Sequence, residues 1–344
     1  MAASYRKGSF FVFKRFIFIK IIALIIALLF TISTNVYAVV PGYDSNKTIE
    51  QANLADDVFT LQTKIDIKNN SNNTINNVKV NLSLLGIDDS FQELLKEEFS
   101  KKPTQIGEKQ YHARVATFSF DSLEPKQTKT LVIENVINIH SKNNGIVEED
   151  ILEYLEPANK IESDHPDIIK QAQALTNNLD NDYEKAKSIY AFVRDNINYD
   201  LQSPYRNKGA LSAFVTQEGV CEEYASLFVA LCRASEIPAR IVNGFADPKA
   251  NGETWNKSAN EALSLNQYRH SWAEFYTEDK GWLPADPTFD SPNKGMKYFG
   301  SIPYPSHIAQ NYHDLPLQLS YQGPRGLPLE VNWDNKMIFN KFVN

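Results

Sequence analysis

The stretch Gly219-Val220-Cys221-Glu222-Glu223-Tyr224-Ala225, running on into Leu227-Phe228-Val229-Ala230-Leu231, decides how the chain is read. The glycine permits a sharp turn, a thiol follows two residues later, and an apolar run comes next. This pattern predicts a helix whose first turn carries Cys221. There, unpaired N–H groups and the positive end of the helix dipole favour thiolate over thiol. Alone, Cys221 reads first as a small buried hydrophobe, the commoner fate of a free cysteine. The rest of the chain overturns that.

A thiol nucleophile needs a base, and the base needs a group that fixes its tautomer. Downstream, Pro238–Phe245 reads as a strand, and the polar segment from Asp247 to Asn266 as a lid or rim. Arg269–Tyr276, a turn at Thr277–Gly281 and Trp282–Thr288 read as a hairpin. His270 lies on its first strand, with Trp272 and Glu274 on the same face. Asp286 ends its second strand, within reach of His270. Cys221, His270 and Asp286 are therefore the candidate catalytic residues, with a backbone N–H at the helix start as a candidate oxyanion donor.

Other residues take quieter readings. Glu222 and Glu223 read as first-turn acids, which oppose a thiolate slightly by like charge. Gln217 reads as a polar loop residue, with lining of the oxyanion site as the alternative. Trp272 and Trp282 read as core packing rather than a substrate wall. His112 and His140 stand alone in strand-like contexts. His307 and His313 fall in a proline-rich loop and take no role. No glycine-rich phosphate loop or metal-ligand cluster is visible, so no cofactor or metal is implied.

The chain of 344 residues, 42% hydrophobic and 12% aromatic, is long enough for two domains. Residues 1–38 hold Arg6, Lys7, Lys14, Arg15 and Lys20 and no acid, which leaves −12 on the rest of a chain of net charge −7. An acidic body argues against nucleic-acid binding and against docking on anionic lipid. Basic residues, the apolar run Ile21–Phe30 and Val36-Tyr37-Ala38 read as an export signal cleaved after Ala38, or as a membrane anchor if uncleaved. The expected location is secreted or extracytoplasmic. Two unpaired thiols are unusual there, and on one helix Cys221 and Cys232 would stand about 16 Å apart, too far for a disulfide.

Residues 39–148 read as an all-β domain, an immunoglobulin-like sandwich that serves as a spacer or binding module. Val58–Ile67, Val78–Leu84, Ala113–Phe120 and Thr130–Ile139 alternate, and Phe91–Phe99 has helical spacing. Residues 149–344 read as the catalytic domain. A helix over 166–178 would be capped by Ser163 or Asp164, and a second, Tyr183 to Ile197, by Asn181 or Asp182. A last hairpin is expected around Gly323–Gly326, with Leu317–Tyr321 and Leu329–Trp333 as its strands.

Gly-Val-Cys-Glu-Glu-Tyr-Ala at 219–225, Ile237-Pro238-Ala239-Arg240, His270-Ser271-Trp272-Ala273-Glu274 and Gly281-Trp282-Leu283-Pro284-Ala285-Asp286-Pro287-Thr288 resemble the bacterial transglutaminase-like superfamily over about 160–300. The resemblance implies an α+β, papain-like core, a cysteine helix packed on an antiparallel sheet. It also implies acyl-enzyme chemistry at an amide, with Cys221 as nucleophile, His270 as proton donor and Asp286 as its support. The acyl acceptor would be an amine or water, and the partners protein or peptide substrates at the cell surface. Crosslinking members carry glutamine and tryptophan beside the cysteine, where this chain has Val220 and Glu222. Transamidation, hydrolysis of a peptide or cell-wall amide, and a non-catalytic binding module with a retained triad all stay open.

Overall fold

The computed structural model describes residues 57–86, 91–108, 113–139, 151–247, 262–292, 295–303, 305–312, 318–322 and 329–339, all within one unit, Asn46–Asn344. The expected export signal, His112, His140, His313 and most of the expected lid lie outside them. Among the described residues no helix is long and apolar enough to cross a membrane.

The leading half is built of β1 (Asp57–Asn69), β2 (Ile75–Ser83), β3 (Gln92–Phe99), β4 (Gln105–Glu108), β5 (Arg114–Leu123) and β6 (Thr128–Ile139). Alternation makes these strands: Ile65 and Ile67 of β1, Val78 and Val80 of β2, and Leu131 and Ile133 of β6 all point into one apolar core. The segment expected to be helical, Phe91–Phe99, is strand β3. Its register against β6 shifts between Leu94 and Lys96, and the bulge turns both Leu94 and Leu95 inward. Two consecutive inward leucines give a strand the look of helical spacing.

The second half supplies α1 (Pro166–Thr176), α2 (Asp182–Asn196), β7 (Asn198–Tyr199), α3 (Ala210–Thr216), β8 (Glu218–Gly219) and α4 (Cys221–Ala234). Then come β9 (Ala239–Ala246), β10 (Ala262–Ser264), β11 (Arg269–Thr277), β12 (Gly281–Ala285), β13 (His307–Asn311), β14 (Gln318–Gln322) and β15 (Leu329–Phe339). Helix α1 is capped by His165 rather than Ser163 or Asp164, its Nδ1 accepting from Asp167 N–H. Asn181 caps α2, its Oδ1 accepting from Tyr183 and Glu184 N–H.

The core of the second half is the antiparallel sheet β12-β11-β9-β13 with α4 against it, the cysteine helix on a sheet that the resemblance led one to expect. Leu227, Phe228 and Leu231 of α4 share a core with Ala273 and Phe275 of β11 and with Tyr190 of α2. Burial of each such large side chain stabilises by roughly 1.5–3 kcal/mol. Across β9 and β11, buried Arg240 meets Glu274 at 2.8 Å, its guanidinium 4.1 Å from the Trp282 ring and 3.9 Å from that of Tyr312.

The domain boundary drawn from sequence fails at the C-terminus. The last two strands form no hairpin: β14 pairs with β2 and β15 with β1, so they complete the sheets β14-β2-β5-β4 and β10-β15-β1-β6-β3. Sequence alternation identifies such strands but carries no address for their partners. The leading sheets also brace the core sheet. Phe59, Leu61 and Ile137 pack with Phe245 of β9 and Ile308 of β13. The buried Gln92 amide bonds both backbone groups of Ala309, donating to its carbonyl at 2.9 Å and accepting from its N–H at 3.2 Å. Gln92 thus occupies the free edge of β13 as a further strand would.

Candidate active site

Cys221 is the first residue of α4, partly exposed, and Cys232 is fully buried on the same helix. The N-cap, Val220, has no side-chain acceptor, and Glu223 at N3 supplies only the returning half of a capping box. Its fully buried carboxylate accepts from Val220 N–H at 3.1 Å and from Lys208 N–H at 2.9 Å. This also explains Gly219 differently from the expected sharp turn. Gly219 lies in β8, and a Cβ there would meet Glu223 Cβ at 2.3 Å, so the glycine makes room for the capping acid. Glu222 points elsewhere and pairs with Lys160.

His270, at the start of β11, lies close enough to Cys221 to feel its sulfur, and its Nε2 lies 2.8 Å from Asp286 Oδ2. With Nε2 committed to Asp286, Nδ1 is the ring nitrogen left for sulfur. Phe289 stacks on the imidazole at 4.3 Å and 10°. Asp286, just after β12, is fully buried, and Thr288 N–H donates to its Oδ1 at 3.1 Å. Tyr190 holds the same turn from below, its hydroxyl 2.9 Å from the Asp286 carbonyl and 2.6 Å from Asp290 Oδ2. All three candidates chosen from sequence therefore meet in one cluster.

Sequence reasoning missed His307. The proline-rich loop contains strand β13, and His307 Nε2 stands 3.1 Å from Asp286 Oδ2 while Ser306 Oγ stands 2.7 Å from its Nδ1. Ser306-His307-Ile308-Ala309-Gln310 does not alternate, and Pro303 and Pro305 before it read as loop, so no local pattern marked a strand there. Also missed was Tyr199 of β7, half-exposed beside Cys221. Its phenol is pushed up by burial and then by negative charge on the Cys221 sulfur. Gln217 ends α3 and lines a separate cavity with Phe192, Asn196 and Phe214.

The electrostatics split the two histidines. Burial would lower His270, but the charge and hydrogen bond of Asp286, with those of Cys221, more than offset it and raise it to about 10. Burial likewise works against the Asp286 carboxylate, yet His270 and His307 hold it well below the usual carboxylate range. Burial dominates at His307 and lowers it, with the Asp286 hydrogen bond opposing and the His270 charge adding. At neutral pH the cluster is thus imidazolium at His270, carboxylate at Asp286 and neutral imidazole at His307. These three offer ligand atoms within 4.8 Å of one another, as a metal site does. Those atoms are already hydrogen-bonded to one another, which suits protons rather than an ion.

Residues 169–287 match the family description "Transglutaminase-like superfamily". This segment is a transglutaminase-like domain. It takes in Cys221, His270 and Asp286 and leaves His307 outside. Over 120 residues the chain is 30% identical to the uncharacterized protein YebA of Bacillus subtilis, covering 33% of this chain and 16% of that one. Over 126 residues it is 29% identical to a protein-glutamine gamma-glutamyltransferase of Pseudomonas aeruginosa, covering 35% and 18%. The chain thus spans less than a fifth of either curated relative. Among solved structures, a candidate cysteine protease from Cytophaga hutchinsonii superposes with a TM-score of 0.51 at 17% identity, covering 83% of this chain and 98% of that one. The shared fold therefore extends beyond the transglutaminase-like domain into the leading sheets.

Proposed function

We propose that the protein is an exported cysteine enzyme that acts on amide bonds of proteins or peptides at the cell surface through a thioester on Cys221. The reading is carried by the bond of His270 to Asp286 beside Cys221, with the sulfur at a helix N-terminus. The Cys221 sulfur attacks the amide carbonyl carbon, and a backbone N–H at the start of α4 faces the developing oxyanion. His270 Nδ1–H gives its proton to the departing nitrogen, so the C–N bond breaks and a thioester remains. The acceptor, an amine or water, then gives a proton to His270 as it attacks the thioester and frees the thiolate. Asp286 keeps Nε2–H occupied and supports the imidazolium. The export signal of residues 1–38 supports an extracytoplasmic location.

Water as the acceptor is the reading we favour between the two. Next to the nucleophile in sequence, Glu222 pairs with Lys160 where crosslinking enzymes carry tryptophan. Incubation of the purified protein with a glutamine-containing protein and a labelled primary amine tests both, with Cys221→Ala alongside. Cys221-dependent cleavage or deamidation without label is expected, and Cys221-dependent label would make the protein a transamidase. Absence of any Cys221-dependent change across a broad peptide and protein set would overturn the enzymatic reading in favour of a binding protein.

A further inference from the structure

We propose that His307 is a positioning residue of this site, a neutral imidazole that donates to Asp286 Oδ2 and holds that carboxylate against His270. The inference rests on the reading of Cys221, His270 and Asp286 as the reacting set, and extends it to a residue outside the matched domain.

Proton accounting carries the argument. Asp286 is fully buried, and a buried carboxylate oxygen needs donors. His270 and Thr288 supply two, and His307 Nε2, 3.1 Å from Oδ2, is in place to supply a third. A neutral imidazole has one N–H. If it sat on Nδ1, the Nε2 lone pair would face a buried negative charge. The Asp286 carboxylate therefore selects the Nε2–H tautomer, and fully buried Ser306, 2.7 Å from Nδ1, can donate its hydroxyl proton to the lone pair left there. Ser306 thus reinforces the tautomer whose proton points at the carboxylate.

Placement of the ring is fixed as firmly as its proton. Strand β13 is clamped on one edge by the Gln92 amide at Ala309 and on the other by pairing with β9. The His307 ring meets Trp272 edge-on at 4.9 Å and lies 5.6 Å from Phe289, the ring that stacks on His270. Asp286 and His270 are the charged groups facing it, and Tyr298 lies 6.1 Å away. Because Oδ2 is shared, any sideways movement of Asp286 that lengthens the His270 contact is resisted from the opposite side by His307. The residue touches neither sulfur nor substrate, and its effect reaches Cys221 through Asp286 and His270.

Alkylation of Cys221 by iodoacetamide across pH 5–9 tests this without any substrate, with Cys221→Ala as the blank for buried Cys232. His307→Leu removes the donor, and His307→Gln restores an amide N–H at the reach of Nε2. Ser306→Ala removes that reinforcement of the tautomer while leaving the ring. His307→Leu is expected to slow alkylation at pH 6 by roughly tenfold, the worth of one hydrogen bond to a charged group, with little change at pH 9. His307→Gln should recover most of that loss, and Ser306→Ala should show a smaller slowing of the same kind. A folded His307→Leu protein with the wild-type profile overturns the proposal. So does equal impairment of the leucine and glutamine variants, which would indicate packing. If His307→Leu fails to fold, a wild-type profile for Ser306→Ala overturns it. Wild-type protein whose Cys221 reacts at pH 6 no faster than a free thiol refutes the nucleophile reading itself, a different result from failure of the variants alone.

Discussion

Gly244→Ala adds one methyl group at the seam on which the candidate site depends. Gly244 lies in the middle of β9, opposite His270 on one side and Ala309 on the other. A Cβ there would sit 2.0 Å from the Ile308 carbonyl oxygen and 3.1 Å from the tip of the Trp272 ring. The nearer atom is backbone, so rotation of a side chain relieves nothing. β13 must retreat by about 1 Å or more to reach even a tight contact. Ile308 is the residue after His307, and a shift of that size stretches the 3.1 Å His307–Asp286 contact beyond hydrogen-bonding range. Overpacking costs about 1–3 kcal/mol, and loss of a hydrogen bond to a charged group about 1.5–3 kcal/mol more. At roughly 2–4 °C per kcal/mol, Tm in scanning calorimetry should fall by at least ~5 °C. Alkylation of Cys221 at pH 6 should slow together with it. Gly107→Ala is the control, since its Cβ would have only the far end of Gln105 nearby at 3.9 Å, and it should shift Tm by about a degree or less. A Gly244→Ala protein within a degree of wild type would refute the argument that β13 is pinned against β9 at this glycine.

Three further outcomes follow from the same contacts. Asp286→Asn replaces an acceptor of three N–H groups by an amide that must present N–H to some of them. The His270 proton moves to Nδ1, and turnover should fall by roughly 10³–10⁴-fold with the circular dichroism spectrum retained. Glu223→Gln leaves one of the two N–H groups it accepts from, those of Val220 and Lys208, facing an amide N–H, and denaturant unfolding should report a loss of about 1–3 kcal/mol. Stability against pH should peak near pH 6.5 as far as this cluster sets it. His270 is raised, so its contribution is whole below the ordinary histidine value of 6.5 and is lost as pH rises through about 10. His307 is lowered and Asp286 is lowered, so their contributions shrink on the acid side, His307 first below 6.5 and Asp286 below 3.8. Stability in His307→Gln should therefore decline less between pH 6.5 and 4, and an unchanged acid slope in that variant would contradict the assignment of His307 as neutral.

What the sequence made legible was local. Cys221 announced itself by standing before an apolar helical run, and His270 and Asp286 by sitting on two strands joined by a short turn, so that chain geometry alone brings them together. Contacts that depend on distant pairing were illegible. Residue 307 reaches Asp286 because β13 pairs with β9 rather than continuing the hairpin, a pairing that local sequence pattern does not specify. The same holds for β14 and β15, whose alternation was visible while their partners β2 and β1, over two hundred residues upstream, were not.

The contact of the leading strands with β13 was illegible for the same reason. Gln92 was concealed inside a stretch that looked helical because a bulge turned Leu94 and Leu95 inward together. As a strand residue at the edge of its sheet, it holds Ala309, two residues from His307, by both backbone groups. Gln92→Ala would leave two buried backbone groups without those bonds and loosen the strand that carries His307. Its effect on Cys221 alkylation should thus repeat that of His307→Leu, and the double variant should be no worse than the more impaired single one, because both act through the one Asp286 contact. Additive losses in the double variant would mean that the leading sheets stabilise the molecule without positioning its chemistry.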